Sequence, residues 1–80
     1  MHDILWNSRV LGAMQAHACL TDDELNVMKD WMLGKEPEET AFRLSMSTRT
    51  VERIRTTIRK KYDGIQGYTD LPPRVPMKRK

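Results

Sequence analysis

Cysteine is almost missing from this 80-residue chain: Cys19 stands alone, so no internal disulfide can form, and a lone thiol suits a reducing cytoplasm. Long apolar runs are missing too, which argues against a membrane-spanning helix. The N-terminus lacks the basic-then-apolar layout of a signal peptide, so the expected location is cytoplasmic. Soft metal ligands are scarce. His2, His17 and Cys19 show no CxxC or HxxxH spacing, and no metal site is expected. No segment is of low complexity and no internal repeat is visible.

Eighty residues allow one small domain whose core is marginal without help, for which oligomerisation is one natural source. The net charge of +3 conceals an asymmetry. Residues 1–42 hold eight acids against three bases, whereas residues 43–80 hold eleven bases against three acids. A dipolar layout of this kind is what a nucleic-acid binder with one working face would show, with acidic protein surfaces as the alternative partner.

Apolar positions in residues 3–19 form two adjoining stripes, one of Ile4, Leu11, Met14 and Ala18, the other of Trp6, Val10, Ala13 and His17. They predict a helix over 3–19 with so wide an apolar arc that it either packs back on the domain or meets another chain. In the second case Ile4, Trp6, Val10, Leu11 and Met14 form a dimer interface. Thr21-Asp22-Asp23-Glu24 reads as a capping box. Leu25, Met28, Trp31 and Met32 then repeat at helical spacing up to Leu33, with Gly34 past the end. Trp31 is expected in the core. Glu36-Pro37-Glu38-Glu39 opens the next helix, with proline at its first position and acids in its first turn. No nucleophile or oxyanion donor accompanies these carboxylates, so capping wins over catalysis; no enzyme and no cofactor are expected. Phe42 and Leu44 are expected to help fill the core. Arg43 is expected to be exposed, solvated or reaching a phosphate.

The centre of the chain is Ala41 to Ile54. Ala41 and Leu44 share a face of one short helix, Ser45-Met46 makes a corner, and Ser47 is placed to cap a second helix running from Thr48 to about Tyr62. That pattern fits a helix-turn-helix, with the small Ala41 letting the second helix cross closely. At about 100° per residue, Ile54, Ile58 and Tyr62 cluster within roughly 60° of Val51. Arg49, Glu52, Arg53, Thr56 and Lys60 fall on the opposite side, with Thr57 and Arg59 on the flanks. Arg55 lies nearer the apolar side, its stem packing and its head reaching a carboxylate or phosphate. Such a face is either a solvated amphipathic surface or a DNA-reading one.

Leu20-Thr21, Glu24, Val27-Met28, Gly34, Glu39, Ala41, Leu44, Ser47, Arg49-Thr50-Val51-Glu52, Ile58, Lys60 and Lys61 together resemble the DNA-binding domain of the LuxR/GerE family. Residues 20–61 lie on that pattern without a gap. Departures fall at Asp30 and Thr40, where the family prefers aliphatic residues, at Ser45, where it prefers glycine, and at Ile54, where it often has histidine. The resemblance implies a second helix in the major groove, with Arg49, Glu52, Arg53 and Thr56 toward the bases. Ser47, Thr48, Arg55, Thr57, Arg59, Lys60 and Lys61 are then the candidates for phosphate contact.

After Gly64 the helical pattern ends. Residues 67–80 are expected to form an extended basic tail, Leu71 to Pro76 close to polyproline II. Met77-Lys78-Arg79-Lys80 is a basic end, either mobile or adding phosphate contacts. The whole reads as an all-α, small helical bundle containing a helix-turn-helix, with an extra N-terminal helix and an extended proline-containing tail. Residues 1–66 are its single domain, with the helix-turn-helix core at 20–62. The expected function is sequence-specific double-stranded DNA binding in transcription regulation, in the bacterial or phage cytoplasm at the nucleoid, as a homodimer and without a membrane. Two rivals share the helix-turn-helix. One is a protein-binding adaptor contacting RNA polymerase or a regulator, like a sigma-factor promoter-recognition region or a phage-encoded inhibitor. The other is the DNA-recognising small subunit of a phage packaging enzyme.

Overall fold

Each helix begins where a side chain can hold its first free amides. Asn7 Oδ1 accepts the Val10 N–H at 2.9 Å and starts α1, Ser8–His17. Thr21 Oγ1 accepts the Glu24 N–H at 3.1 Å, while Glu24 Oε1 accepts the Thr21 N–H at 3.0 Å, the reciprocal box that opens α2, Asp22–Met32. Glu39 Oε1 accepts the Glu36 N–H at 2.8 Å ahead of α3, Pro37–Leu44. Ser47 Oγ accepts the Thr50 N–H at 3.1 Å and starts α4, Thr48–Gly64. This computed structural model describes Ile4 and residues 6–71, and no strand occurs among them. The fold is a small all-helical bundle.

Two helix ends share one geometry. After α2, Gly34 (φ +82°) lets its own N–H reach Trp31 O and the Lys35 N–H reach Asp30 O. After α3, Ser45 (φ 57°) does the same, its N–H on Phe42 O and the Met46 N–H on Ala41 O. Both are Schellman turns, which need a left-handed residue. Glycine adopts it freely; a serine there costs about 1–2 kcal/mol.

α4 packs against both α2 and α3 through Val51, Ile58 and Tyr62, each at most 1% exposed. Ala41 at the α3 crossing is buried, as its small size predicts. The N-terminal segment departs from expectation. Helix α1 starts at Ser8, not residue 3, because Asn7 is extended and caps it. Ile4, Val10 and Met14 are buried in the chain's own core, with Trp6 and Leu11 packed against it. Much of the stripe expected to meet a second chain is therefore packed within the monomer, with Trp6 and Leu11 still partly exposed. His17 is exposed and its ring stacks on Tyr68, with centroids 6.5 Å apart.

Phe42, expected in the core, is 91% exposed. The inward face of α3 belongs to Thr40, Ala41 and Leu44, and the helical step turns Phe42 away from them. The start of the expected tail also differs. Residues 65–68 form a turn, and Ile65 and Leu71 are both in the core, with Asp70 paired to Arg9. The domain thus continues past residue 66. The proline stretch and basic end within 72–80, and His2, lie outside the described residues.

At the two polar departures in the interior, the outcomes differ. Asp30 (4% exposed) is compensated by Arg43 Nε at 3.0 Å, whereas Thr40 (0%) leaves its Oγ1 without a partner. An unsatisfied buried hydroxyl costs about 1–3 kcal/mol. Thr40→Val and Ser45→Gly are each expected to stabilise the fold by about 1 kcal/mol, raising the thermal midpoint by roughly 4–8 °C in a domain of this size. A thermal melt followed by circular dichroism checks both; an unchanged or lowered midpoint contradicts the assignment.

Candidate nucleic-acid interface

Seventeen residues make α4 about 25 Å long at 1.5 Å per residue. Its burial follows the helical period. With Val51, Ile58 and Tyr62 inward, Arg49, Glu52, Arg53, Thr56 and Lys60 are all exposed, one stripe along the outer side. Thr48, Arg55, Thr57, Arg59 and Lys61 are half-buried on its flanks, and Ser47 is exposed at the start. The expected base-facing set thus shares one accessible surface.

The expected phosphate set divides. Ser47 Oγ accepts the Thr50 N–H and donates to Thr50 Oγ1 at 2.9 Å, so its proton is engaged in the cap. Thr57 Oγ1 donates to Arg53 O at 3.2 Å and Thr56 Oγ1 to Glu52 O at 3.1 Å, turning both hydroxyl protons back into the helix. What Thr56 presents outward is its methyl group and lone pairs. Lys60 is exposed. Lys61 is engaged inside the fold, its Nζ 2.6 Å from Glu24 Oε1 and 3.0 Å from Cys19 O.

Arg55 and Arg59 have a setting that the sequence did not disclose. Their guanidinium carbons lie 4.7 and 4.8 Å from the centroid of the buried Trp31 ring. Arg55 Nη2 also donates to Lys35 O at 2.8 Å, while its Nε is buried without a partner. Burial, then the charge of Arg59, pulls Arg55 below the ordinary guanidinium pKa, against the opposing pull of Glu36, Glu52 and Asp30. Both arginines line a cleft of about 270 Å³ with Pro37, Glu52 and Thr56. Their i, i+4 spacing was the one sequence signal that they share a flank; nothing local pointed to Trp31.

No protein-family model, curated protein or solved structure matches this chain. Among the described residues no helix is long and apolar enough to cross a membrane.

Glu24 joins the α2 cap to α4. Burial alone raises its pKa, but the hydrogen bonds and charge of Lys61, with those from Thr21, outweigh it and hold the group below the usual 4.5. A depressed carboxylate contributes stability that is fully present above its unfolded value and lost as pH falls through its folded one. The Lys61–Glu24 link is therefore expected to weaken below about pH 4.5, measurable as an acid limb in urea denaturation that Glu24→Gln flattens. At neutral pH, Lys61→Ala is expected to cost about 1–2 kcal/mol of stability, as for a hydrogen bond to a charged group. Lys60→Ala should stay within about 0.5 kcal/mol of the parent. Equal effects of the two lysines in denaturant titrations would remove the distinction between a structural and an available cation.

Proposed function

We propose that this protein is a sequence-specific, double-stranded-DNA-binding transcriptional regulator of the LuxR/GerE type, acting in the cytoplasm at the nucleoid as a homodimer. The observation that carries the reading is the outer stripe of α4, where Arg49, Glu52, Arg53, Thr56 and Lys60 are exposed together. The ungapped resemblance over residues 20–61 supports it. A major groove about 12 Å wide and 8.5 Å deep admits one helix. With α4 inserted, Arg53 pairs bidentately with guanine, Glu52 accepts from cytosine N4, and the Thr56 methyl meets a thymine methyl. Arg49 stands at the groove edge, and Lys60 meets a phosphate whatever the sequence. A two-fold dimer then reads an inverted repeat with half-sites about one helical turn apart.

The test is selection of binding duplexes from a random pool at physiological salt. A palindromic consensus supports the dimeric reader and gives its spacing; an unpaired site keeps the DNA function and removes the two-fold dimer. On the selected site, Arg53→Ala is expected to cost about 1–3 kcal/mol, while Lys60→Ala weakens all sequences alike. Equal losses for both variants on specific and random duplexes would undo the assignment of roles.

A second reading, the protein-binding adaptor, has lost its apolar N-terminal helix to the core but gains Phe42 (91% exposed) and Leu33 (74%). Failure to enrich any duplex, with a stable complex formed on RNA polymerase or a regulator, would favour it.

A further inference from the structure

The cleft beside the outer stripe of α4 is not used by the base-reading residues alone. Its walls are Pro37 at the start of α3 and Glu52, Arg55, Thr56 and Arg59 along α4. Two guanidiniums converge on one buried indole, 4.7 and 4.8 Å from its centroid, so two like charges are held close on an apolar support. Arg55 is fixed further by its bond to Lys35 O. An arginine side chain fixed in this way has already lost part of its rotamer entropy. Cations ordered before an anion arrives give up less on binding it. At about 270 Å³ the cleft falls just under the range of roughly 300–1,000 Å³ usual for small-molecule sites, and so suits one compact group. Planar guanidinium forks match the oxygens of a phosphate better than any other common anion but a carboxylate, and phosphate carries more acceptor oxygens. Glu52 at the rim opposes an anion, which gives the site an internal control.

We propose that this cleft binds a phosphate group, with Arg55 and Arg59 as its ligands. The group comes either from the DNA backbone, in which case the inference rests on the DNA-binding reading, or from a small soluble phosphorylated compound.

The test titrates inorganic phosphate, against chloride at fixed ionic strength, into the ¹⁵N-labelled full chain. It follows the side-chain Nε–H signals of Arg55 and Arg59 and the Trp31 indole N–H. Saturable shifts of these signals are expected, weakened at least tenfold in Arg59→Gln and strengthened several-fold in Glu52→Gln. The latter removes the repelling carboxylate without touching Trp31 packing, so it stays informative if the arginine variants unfold. In parallel, duplex binding is measured across salt concentrations for the parent and Arg59→Gln. One lost phosphate contact lowers the salt slope by about 0.9. Binding of free phosphate with an unchanged slope identifies a soluble ligand as the source. A lowered slope without free-phosphate binding identifies the DNA backbone. Neither effect overturns the proposal. If the parent binds no duplex at all, the phosphate titration decides alone, and the DNA reading falls separately from the site.

Discussion

The position of Trp31 is the constraint on which the rest of this structure depends. At 1% exposure, its ring meets Trp6 of the N-terminal segment at 5.2 Å and the guanidiniums of Arg55 and Arg59 from α4 at 4.7 and 4.8 Å. One side chain of α2 therefore joins three parts of the chain. A half-buried cation over an indole contributes about 0.5–2 kcal/mol, beyond the area the ring buries. The reach of Arg55 and Arg59 to Trp31 agrees with the rotation of α4 about its own axis that the buried Val51, Ile58 and Tyr62 set. That rotation puts Arg49, Glu52, Arg53, Thr56 and Lys60 outward.

The same constraint divides the cations of α4 by purpose. Lys61 links α4 to the α2 cap through Glu24, and Arg55 anchors the loop after α2 through Lys35 O. On α3, Arg43 does similar work by compensating the buried Asp30. A basic helix is usually read as one electrostatic surface. Here part of its charge is consumed in holding the fold, and the charge on offer to a partner is smaller than the count of lysines and arginines suggests.

Much of this was legible in the sequence because it is local. Thr21 with Glu24, Ser47 before Thr48, and Gly34 after Leu33 are signals carried within four residues, and the caps and stops fall where they predict. The face of α4 was equally legible, since one angle per residue decides it. What failed was tertiary. Lys61 and Glu24 are 37 residues apart, and no spacing announces that they meet. The wide apolar arc of the N-terminal segment was real, but no local signal said that Ile4, Val10 and Met14 would be buried in their own domain. Phe42 went astray because hydrophobic character was weighed above helical phase: Thr40 and Ala41 lie inward and leave no room on that face. The overlooked Asn7 cap moved the start of α1.

Under the proposed DNA-binding reading, this division of charge has an energetic consequence. Along the outer stripe stand three cations, Arg49, Arg53 and Lys60, against the carboxylate of Glu52. Each neutralised phosphate adds about 0.9 to the salt slope, so a stripe of this size contributes little sequence-indifferent affinity, and less if Arg49 and Arg53 face bases. The basic residues Arg74, Lys78, Arg79 and Lys80, outside the described residues, add further positive charge to the second half of the chain. A second copy doubles all of these at once. The physics of a small chain with few outward cations thus argues for two-fold binding on energetic grounds, independently of any apolar surface left to join the copies.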